Sequence, residues 1–421
     1  MPLRELLAER RESVLVKGGL GDWQAITIKF SGEVLPRDRA AAFKGAMFAA
    51  YPGDLLFSKI DARNGAIGLI PETIAKAVVT SEYPVFIPKA DKLRPLYLRH
   101  LLQASHFRAD LQSKASGTSG RKRVTPEGFL SLNVPVPTLP EQDALIASYM
   151  AALKQAAQLE QEADSAQRTE WQSFELASGL AASTPLPDRP VFVARFKDVD
   201  RWSHDGILRV AHGATNQAES CHVVPLESAL MEVRHGCSLS PAKRVTTLRI
   251  LKISAVTKGH LNLDEYKHIK DDARLREQFS LKAGDILMCR TNGTLAYVGM
   301  SALVKTDIEG TIFPDKVIRV RPDENKINSE YLWLLLQLPP MRKQIEGAAR
   351  TAVGNYAIGS KDIKALKIPL PPITEQQKLF DALHAAMLTA QEKRTEAAVL
   401  RQSAWAAFES TVFNAIEKAT Q

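Results

Sequence analysis

The side chains with the most to offer chemically stand on short polar loops. They are Lys59, Arg63 and Asn64; Arg121, Lys122 and Arg123; Arg290 and Asn292; and Arg350, Asn355 and Tyr356. Lys and Arg at loop tips neutralise phosphates. An Arg fork matches the guanine edge in the major groove, and an Asn carboxamide matches adenine. Any one of these residues could be ordinary solvated loop charge. Their recurrence is what singles them out: one group in each half follows a Gly-Asp strand, and another precedes a proline-rich run. A self-contained active site is not legible. SGTSGRKR (116–123) has glycines at the wrong spacing for a phosphate loop, and there is no HExxH, no GxSxG and no metal-ligand spacing among the nine histidines. PGDLLFSKID (52–61) has the Asp and Lys of a metal-dependent nuclease strand. Its second version, AGDILMCRTN (283–292), puts Arg290 where Lys59 stands and offers no matching carboxylate, so a strand-opening Gly-Asp turn explains the pair more simply. No catalytic residue and no metal ligand is assigned.

The elements that must position these loops are duplicated. NVPVPTLPEQ (133–142) and KIPLPPITEQ (367–376) align without a gap, Pro135 against Pro369, 234 positions apart. Gly120 meets Gly354 in the same register, and Trp171, Phe174 and Glu175 meet Trp405, Phe408 and Glu409. With small gaps the likeness reaches back through Gly53-Asp54 and Gly284-Asp285, through AITIKFSGEVL (25–35) and RILKISAVTKGHL (249–261), to Pro2-Leu3 and Pro225-Leu226. Segment 190–224 has no counterpart in the first half. An internal repeat of this length is read before anything else.

Each half reads as a sheet-rich globule followed by one long helix, an α+β architecture. Runs such as LLFSKI and DILMC are bounded by turn residues, as strands are. Residues 95–113 and 329–345 are expected to be helical, the second interrupted at Pro339-Pro340. The proline ladders are expected as edge or linking strands, because proline cannot donate a ladder hydrogen bond. They open long helices at about 141–178 and 375–414, with Pro140 in the first turn of one and Thr374 as N-cap of the other. Seams of Leu145, Tyr149, Ala152, Ala156, Leu159, Ala163 and Ala166, and of Leu379, Leu383, Ala386, Ala390, Ala397 and Leu400, run along them. A forty-residue helix is roughly 60 Å long at 1.5 Å per residue, too long a seam to bury on one small globule. Two such helices pairing antiparallel solve this, with a pseudo-twofold arrangement of globules; the alternative is a separate amphipathic helix on each domain. The expected domains are 1–140, 182–374 and the helices 141–181 and 375–421.

Composition narrows the setting. The 421 residues suffice for two or three domains, and a charged fraction of 24% is that of a globular protein. No apolar run of eighteen residues occurs, the N-terminus lacks an apolar signal core, and three cysteines make no disulfide framework, so a cytoplasmic protein without membrane association is expected. A net charge of +8 and a pI near 9.2 permit nucleic-acid binding without demonstrating it.

The order globule, helix, globule, helix, with GDLLFSK and GDILMCR in the globules and VPVPTLPEQ and IPLPPITEQ opening the helices, resembles the specificity (S) subunits of type I restriction–modification enzymes over essentially the whole chain. The resemblance implies two target-recognition domains, each reading half of a bipartite site in double-stranded DNA. It also implies helices that form an antiparallel coiled coil, set the spacing and dock two adenine-methyltransferase (M) subunits. The chain would bind no cofactor and catalyse nothing itself. S-adenosylmethionine would belong to the M subunits, which methylate a flipped-out adenine, and ATP with Mg to restriction (R) subunits that join the complex. Base-contacting residues do not transfer by motif, because recognition domains diverge with their target. Two other classes stay open on residues alone: a self-contained restriction or modification enzyme with an unrecognised site, and a coiled-coil scaffold whose globules bind proteins.

Overall fold

A computed structural model describes residues 1–15, 19–38, 46–115, 122–180, 222–352 and 354–420. Arg121 and all but the last three residues of segment 190–224 lie outside the described residues. The chain divides into two compact units, Met1–Gln161 with Lys393–Gln421, and Glu162–Glu392.

The first unit contains β1 (Leu7–Arg10), β2 (Ser13–Val14), β3 (Gln24–Ile28), β4 (Val34–Pro36), β5 (Met47–Ala50), β6 (Leu55–Phe57), β7 (Ile67–Leu69), β8 (Ala77–Thr80) and β9 (Val85–Pro88). They form one sheet ordered β1-β9-β6-β7 and another ordered β2-β5-β8-β3-β4. Helices α1 (Pro95–Leu101), α2 (Ser105–Ser113) and α3 (Pro126–Leu130) follow, then the start of α4 (Leu139–Ala177). β6 lacks polar alternation because it separates two cores. Leu55 and Phe57 enter one with Phe86, Tyr97 and Phe129, while Leu56 enters the other with Ile26, Val79 and Val85.

The second unit contains β10 (Val223–Pro225), β11 (Leu230–His235), β12 (Arg249–Leu251), β13 (Tyr266–His268), α5 (Ala273–Gln278), β14 (Ile286–Cys289), β15 (Thr291–Asn292), β16 (Ser301–Leu303), β17 (Thr311–Ile312) and β18 (Val317–Pro322). Next come α6 (Ser329–Leu335), α7 (Pro339–Ala348), β19 (Arg350–Ala352), β20 (Asn355–Ala357), α8 (Ser360–Lys364), β21 (Lys367–Pro369) and the start of α9 (Ile373–Thr420). Its four-stranded sheet, β11-β18-β14-β16, repeats the order of β1-β9-β6-β7, antiparallel throughout. β12 pairs antiparallel with β13 and parallel with β17, as β3 does with β4 and β8. β14 also divides two cores, Ile286 and Met288 on one side, Leu287 and Cys289 on the other. The duplication read from the sequence is a duplication of fold.

The repeated Glu-Gln has a physical reason. Gln142 and Gln376 are fully buried. Gln142 accepts from the Arg94 main-chain N–H at 2.8 Å and donates to the carbonyls of Lys92 at 3.0 Å and Pro137 at 2.8 Å. Gln376 does the same with Asn328 (2.8 Å), Lys326 (3.1 Å) and Pro371 (2.8 Å). Each amide ties the start of a long helix to the loop before α1 or α6. The prolines upstream act as linking strands, as expected: β21 pairs with β10, and Leu3 N–H reaches the Leu132 carbonyl as Leu226 N–H reaches that of Leu366.

Three local expectations need correction. The helix expected over 95–113 is two, broken at residues 102–104, which match the break before Pro339 in the second copy. The break is therefore set by packing and not by proline alone. α9 begins at Ile373, so Thr374 lies inside the first turn; the carbonyl of Pro372 instead receives the N–H groups of Glu375 and Gln376. Ala166 is exposed. The line of least exposure on α4 runs through buried Ala156 and Ala163 and the half-exposed Glu160 and Gln167 between and after them, because polar side chains occupy alternate seam positions that an apolar pattern passes over.

Within each unit the long helices run antiparallel. In the first, Leu145 and Tyr149 of α4 share a core with Trp405, Phe408 and Val412 of α9, and Glu160 forms a two-pronged ion pair with Arg401, one contact at 2.8 Å. In the second, Trp171 and Phe174 of α4 meet Phe380, Leu383 and Met387 of α9. Ala156, Ala163, Ala390 and Ala397 are at most 1% exposed, on middle stretches of α4 and α9 whose other residues are partly or fully exposed. Seam alanines let helix axes approach closely.

Candidate nucleic-acid interface

The Gly-Asp turns come first, since they set where the loops begin. Gly53 and Gly284 have φ of +83° and +86°, a region that glycine enters without strain. Asp54 and Asp285 are 3% and 1% exposed. The guanidinium of Arg10 grips Asp54 at 2.7 and 3.1 Å, and that of Arg321 grips Asp285 at 2.7 and 2.8 Å. Each carboxylate also accepts a main-chain N–H of its own turn, from Tyr51 or Lys282. The hydrogen bonds to these carboxylates raise the pKa of Arg10 and Arg321 further. Carboxylates so engaged close a turn and leave no face for a metal ion. Among the described residues no group of three His, Cys, Asp or Glu is arranged to hold one.

From each turn a buried strand runs to a junction of three segments. Lys59 N–H donates to the Glu82 carbonyl at 3.0 Å, and the Lys59 carbonyl accepts from Val124 N–H at 2.8 Å. In the second unit Arg290 N–H donates to Lys316 and its carbonyl accepts from Ile358 N–H, at 2.8 and 2.9 Å. The loop after the Gly-Asp strand and the segment before the proline ladder are therefore neighbours in both units. The described parts of the two clusters expected separately in each half therefore lie on adjoining segments.

The individual residues fare differently. Arg123 pairs with Glu82 at 3.2 Å, Arg350 with Asp362 at 3.1 Å, and Arg290 donates to the Asp315 carbonyl at 3.2 Å. Asn64 donates to Asp61, and Asn292 accepts the Thr294 N–H, so both carboxamides stabilise turns. Tyr356 packs against the core of the second unit, and its main chain pairs with Asn292. Among the described residues no hydrogen bond or ion pair holds the side chains of Lys59, Arg63, Lys122 or Asn355. These four are available to a ligand.

The surroundings add residues that the sequence reading missed. In the first unit a depression of about 340 Å³ joins Lys59 to Arg10, Arg11, Phe48 and Tyr83. In the second, a smaller one of about 230 Å³ brings Asn292, Asn355 and Gly293 to Lys316. His235, which shares a 2.8 Å hydrogen bond with Ser360, is held below its usual pKa by burial and then by the charge of Arg290. Lys316 was legible in principle, because it stands 234 positions after Glu82 in the register of the proline ladders. The two junctions share a backbone and differ in side chains: cationic with aromatic neighbours in one, amide-rich in the other.

The sequence matches the family model of the type I restriction modification DNA specificity domain over residues 47–166 and 246–401. Similar proteins include the EcoKI specificity subunit of a type I restriction enzyme from Escherichia coli K12, 26% identical over 67% of this chain, and the StySPI specificity subunit from Salmonella potsdam, 25% identical over 68%. These matches take in 56% and 57% of the relatives, so the chain spans under three fifths of the length of the curated relatives it matches. Among solved structures, the HsdS subunit from Thermoanaerobacter tengcongensis is similar with a TM-score of 0.52 and 17% identity, covering 98% of this chain and 95% of that one. A structure described as underlying complex assembly and conformational transition of the type I R-M system gives 0.58 and 16%, over 99% and 96%. Likeness at that identity speaks for the fold. With most of both globules, both Gly-Asp strands and most of both helices inside the matched residues, the chain belongs to the type I restriction modification DNA specificity domain family.

Proposed function

We propose that this chain is the DNA-specificity subunit of a type I restriction–modification complex and is not itself catalytic. The globules of 1–140 and 182–374 each read one half of a bipartite duplex site. The helices of 141–181 and 375–421 fix the spacing and dock two M subunits, which supply S-adenosylmethionine chemistry; R subunits supply ATP- and Mg-dependent steps. One observation carries this reading: a junction held by the same pair of main-chain hydrogen bonds in both units presents different side chains in each. A fixed frame with a variable surface suits two unequal half-sites. Uncommitted Lys59, Arg63 and Lys122 suit phosphates, and Asn355 suits an adenine edge.

The test is methyl transfer from labelled S-adenosylmethionine to DNA. Activity is expected only when M subunits accompany the chain; transfer by the chain alone overturns the assignment. Inserting four residues into both long helices is expected to lengthen the unread gap and leave both half-sites unchanged, as mapped by methylated positions. An unchanged gap removes the spacing role.

A further inference from the structure

The loop between β11 and β12 has no part in the junction just described, yet it springs from it. Cys237 N–H donates to the Phe313 carbonyl, and Asp315 N–H to that of Cys237, one residue before Lys316. Gly236 lies so close to this segment that a Cβ would meet the Pro314 carbonyl at 2.1 Å, which fixes the direction in which the loop departs. Its far end is held as firmly. Ala242 N–H donates to the His268 carbonyl at 2.7 Å, and the Thr246 hydroxyl lies 2.7 Å from the Ile269 carbonyl and 3.0 Å from that of Leu248. A loop fixed at both ends nevertheless holds Val245 84% exposed, with Leu239 at 39%. Beside Val245 stand Lys243 and Arg244, both exposed, with no ion pair among the described residues. A single exposed aliphatic residue is ordinary. Here it stands directly after two exposed cations with no described ion pair, a combination that a solvated surface residue does not require.

We propose that loop 239–245 of the second globule is a base-reading element, with Lys243 and Arg244 on backbone phosphates and Val245 against a thymine methyl in the major groove. The inference rests on the specificity reading above and adds residues to it. Charge fits phosphate, and a short branched aliphatic side chain fits the one apolar feature that a base pair presents in that groove. Anchoring at both ends removes the ordering cost that a free loop would incur on binding.

The test uses the full chain assembled with M subunits and selection from a randomised duplex library. V245S is expected to lower discrimination at one T·A pair of one half-site about fourfold, the effect of a lost methyl contact, and to leave the other half-site unchanged. Replacing that thymine by uracil is expected to weaken wild-type binding by the same factor and V245S not at all. K243Q/R244Q is expected to weaken binding to every sequence alike and to make the salt slope shallower by about two. A selective wild type matched by V245S at every position overturns the inference. A wild-type assembly that selects no sequence overturns the specificity reading itself, which is a separate result.

Discussion

Gln142 and Gln376 are buried amides whose partners are all main-chain groups of the same chain. Removing one leaves a donor and two acceptors without partners in a dry site, so Gln376→Ala is expected to cost about 3 kcal/mol in urea unfolding, more than a surface helix substitution would. His100 offers a contrast between the repeats. It is 8% exposed, edge-on to Tyr149 and Phe408, where Leu334 stands in the second unit. Burial, with the Arg99 charge adding, lowers its pKa to about 4. The folded state thus resists a proton that the unfolded chain accepts near pH 6.5. Stability present above pH 6.5 is lost as pH falls toward 4, by about 3 kcal/mol in all. His100→Leu is expected to flatten this part of the stability profile, measured by unfolding between pH 4 and 7. A profile that keeps its slope would place the acid sensitivity elsewhere.

At the scale of elements, the paired helices depend on small residues where they are buried. Ala163 is fully buried and flanked on its seam by Glu160 and Gln167, so the contact there is close and partly polar. Ala163→Leu is expected to destabilise by about 2 kcal/mol, by overpacking, in thermal or urea unfolding. How much was legible beforehand follows from the same chemistry. The helices, the Gly-Asp turns and the linking strands were legible because glycine, proline and apolar spacing report backbone needs directly. The seam was drawn through Ala166, because a polar residue at the edge of a helix seam looks the same in sequence as one in water. The junction was legible only in parts: Lys59 and Lys122 stood out as loop charge, but their meeting depends on strand pairing, and nothing in the residue types told committed Asn292 from uncommitted Asn355.

At the scale of the whole molecule, the core of each unit is completed by the helix of the other repeat. Phe408 and Val412, from the second repeat, pack with Tyr97 in the first unit, while Phe174, from the first repeat, packs with Tyr331 in the second. A fragment ending at Leu180 therefore lacks part of its own core but carries Phe174, which occupies in the repeat the position of Phe408. It is expected to associate with a second copy of itself, with Phe174 of each filling the place of Phe408 in the other, and to show a concentration-dependent dimer in sedimentation. Phe174→Ala in the fragment is expected to leave an unstable monomer. A well-folded monomeric fragment would show that the missing helix is dispensable.

The glutamine clamps bear on how such a protein changes over time. Each grips peptide groups and ignores what those residues carry, Arg94 in one place and Asn328 in the other. An attachment blind to side chains imposes nothing on the surface beyond it. One globule can drift in its surface residues while the attachment of its helix stays as it was.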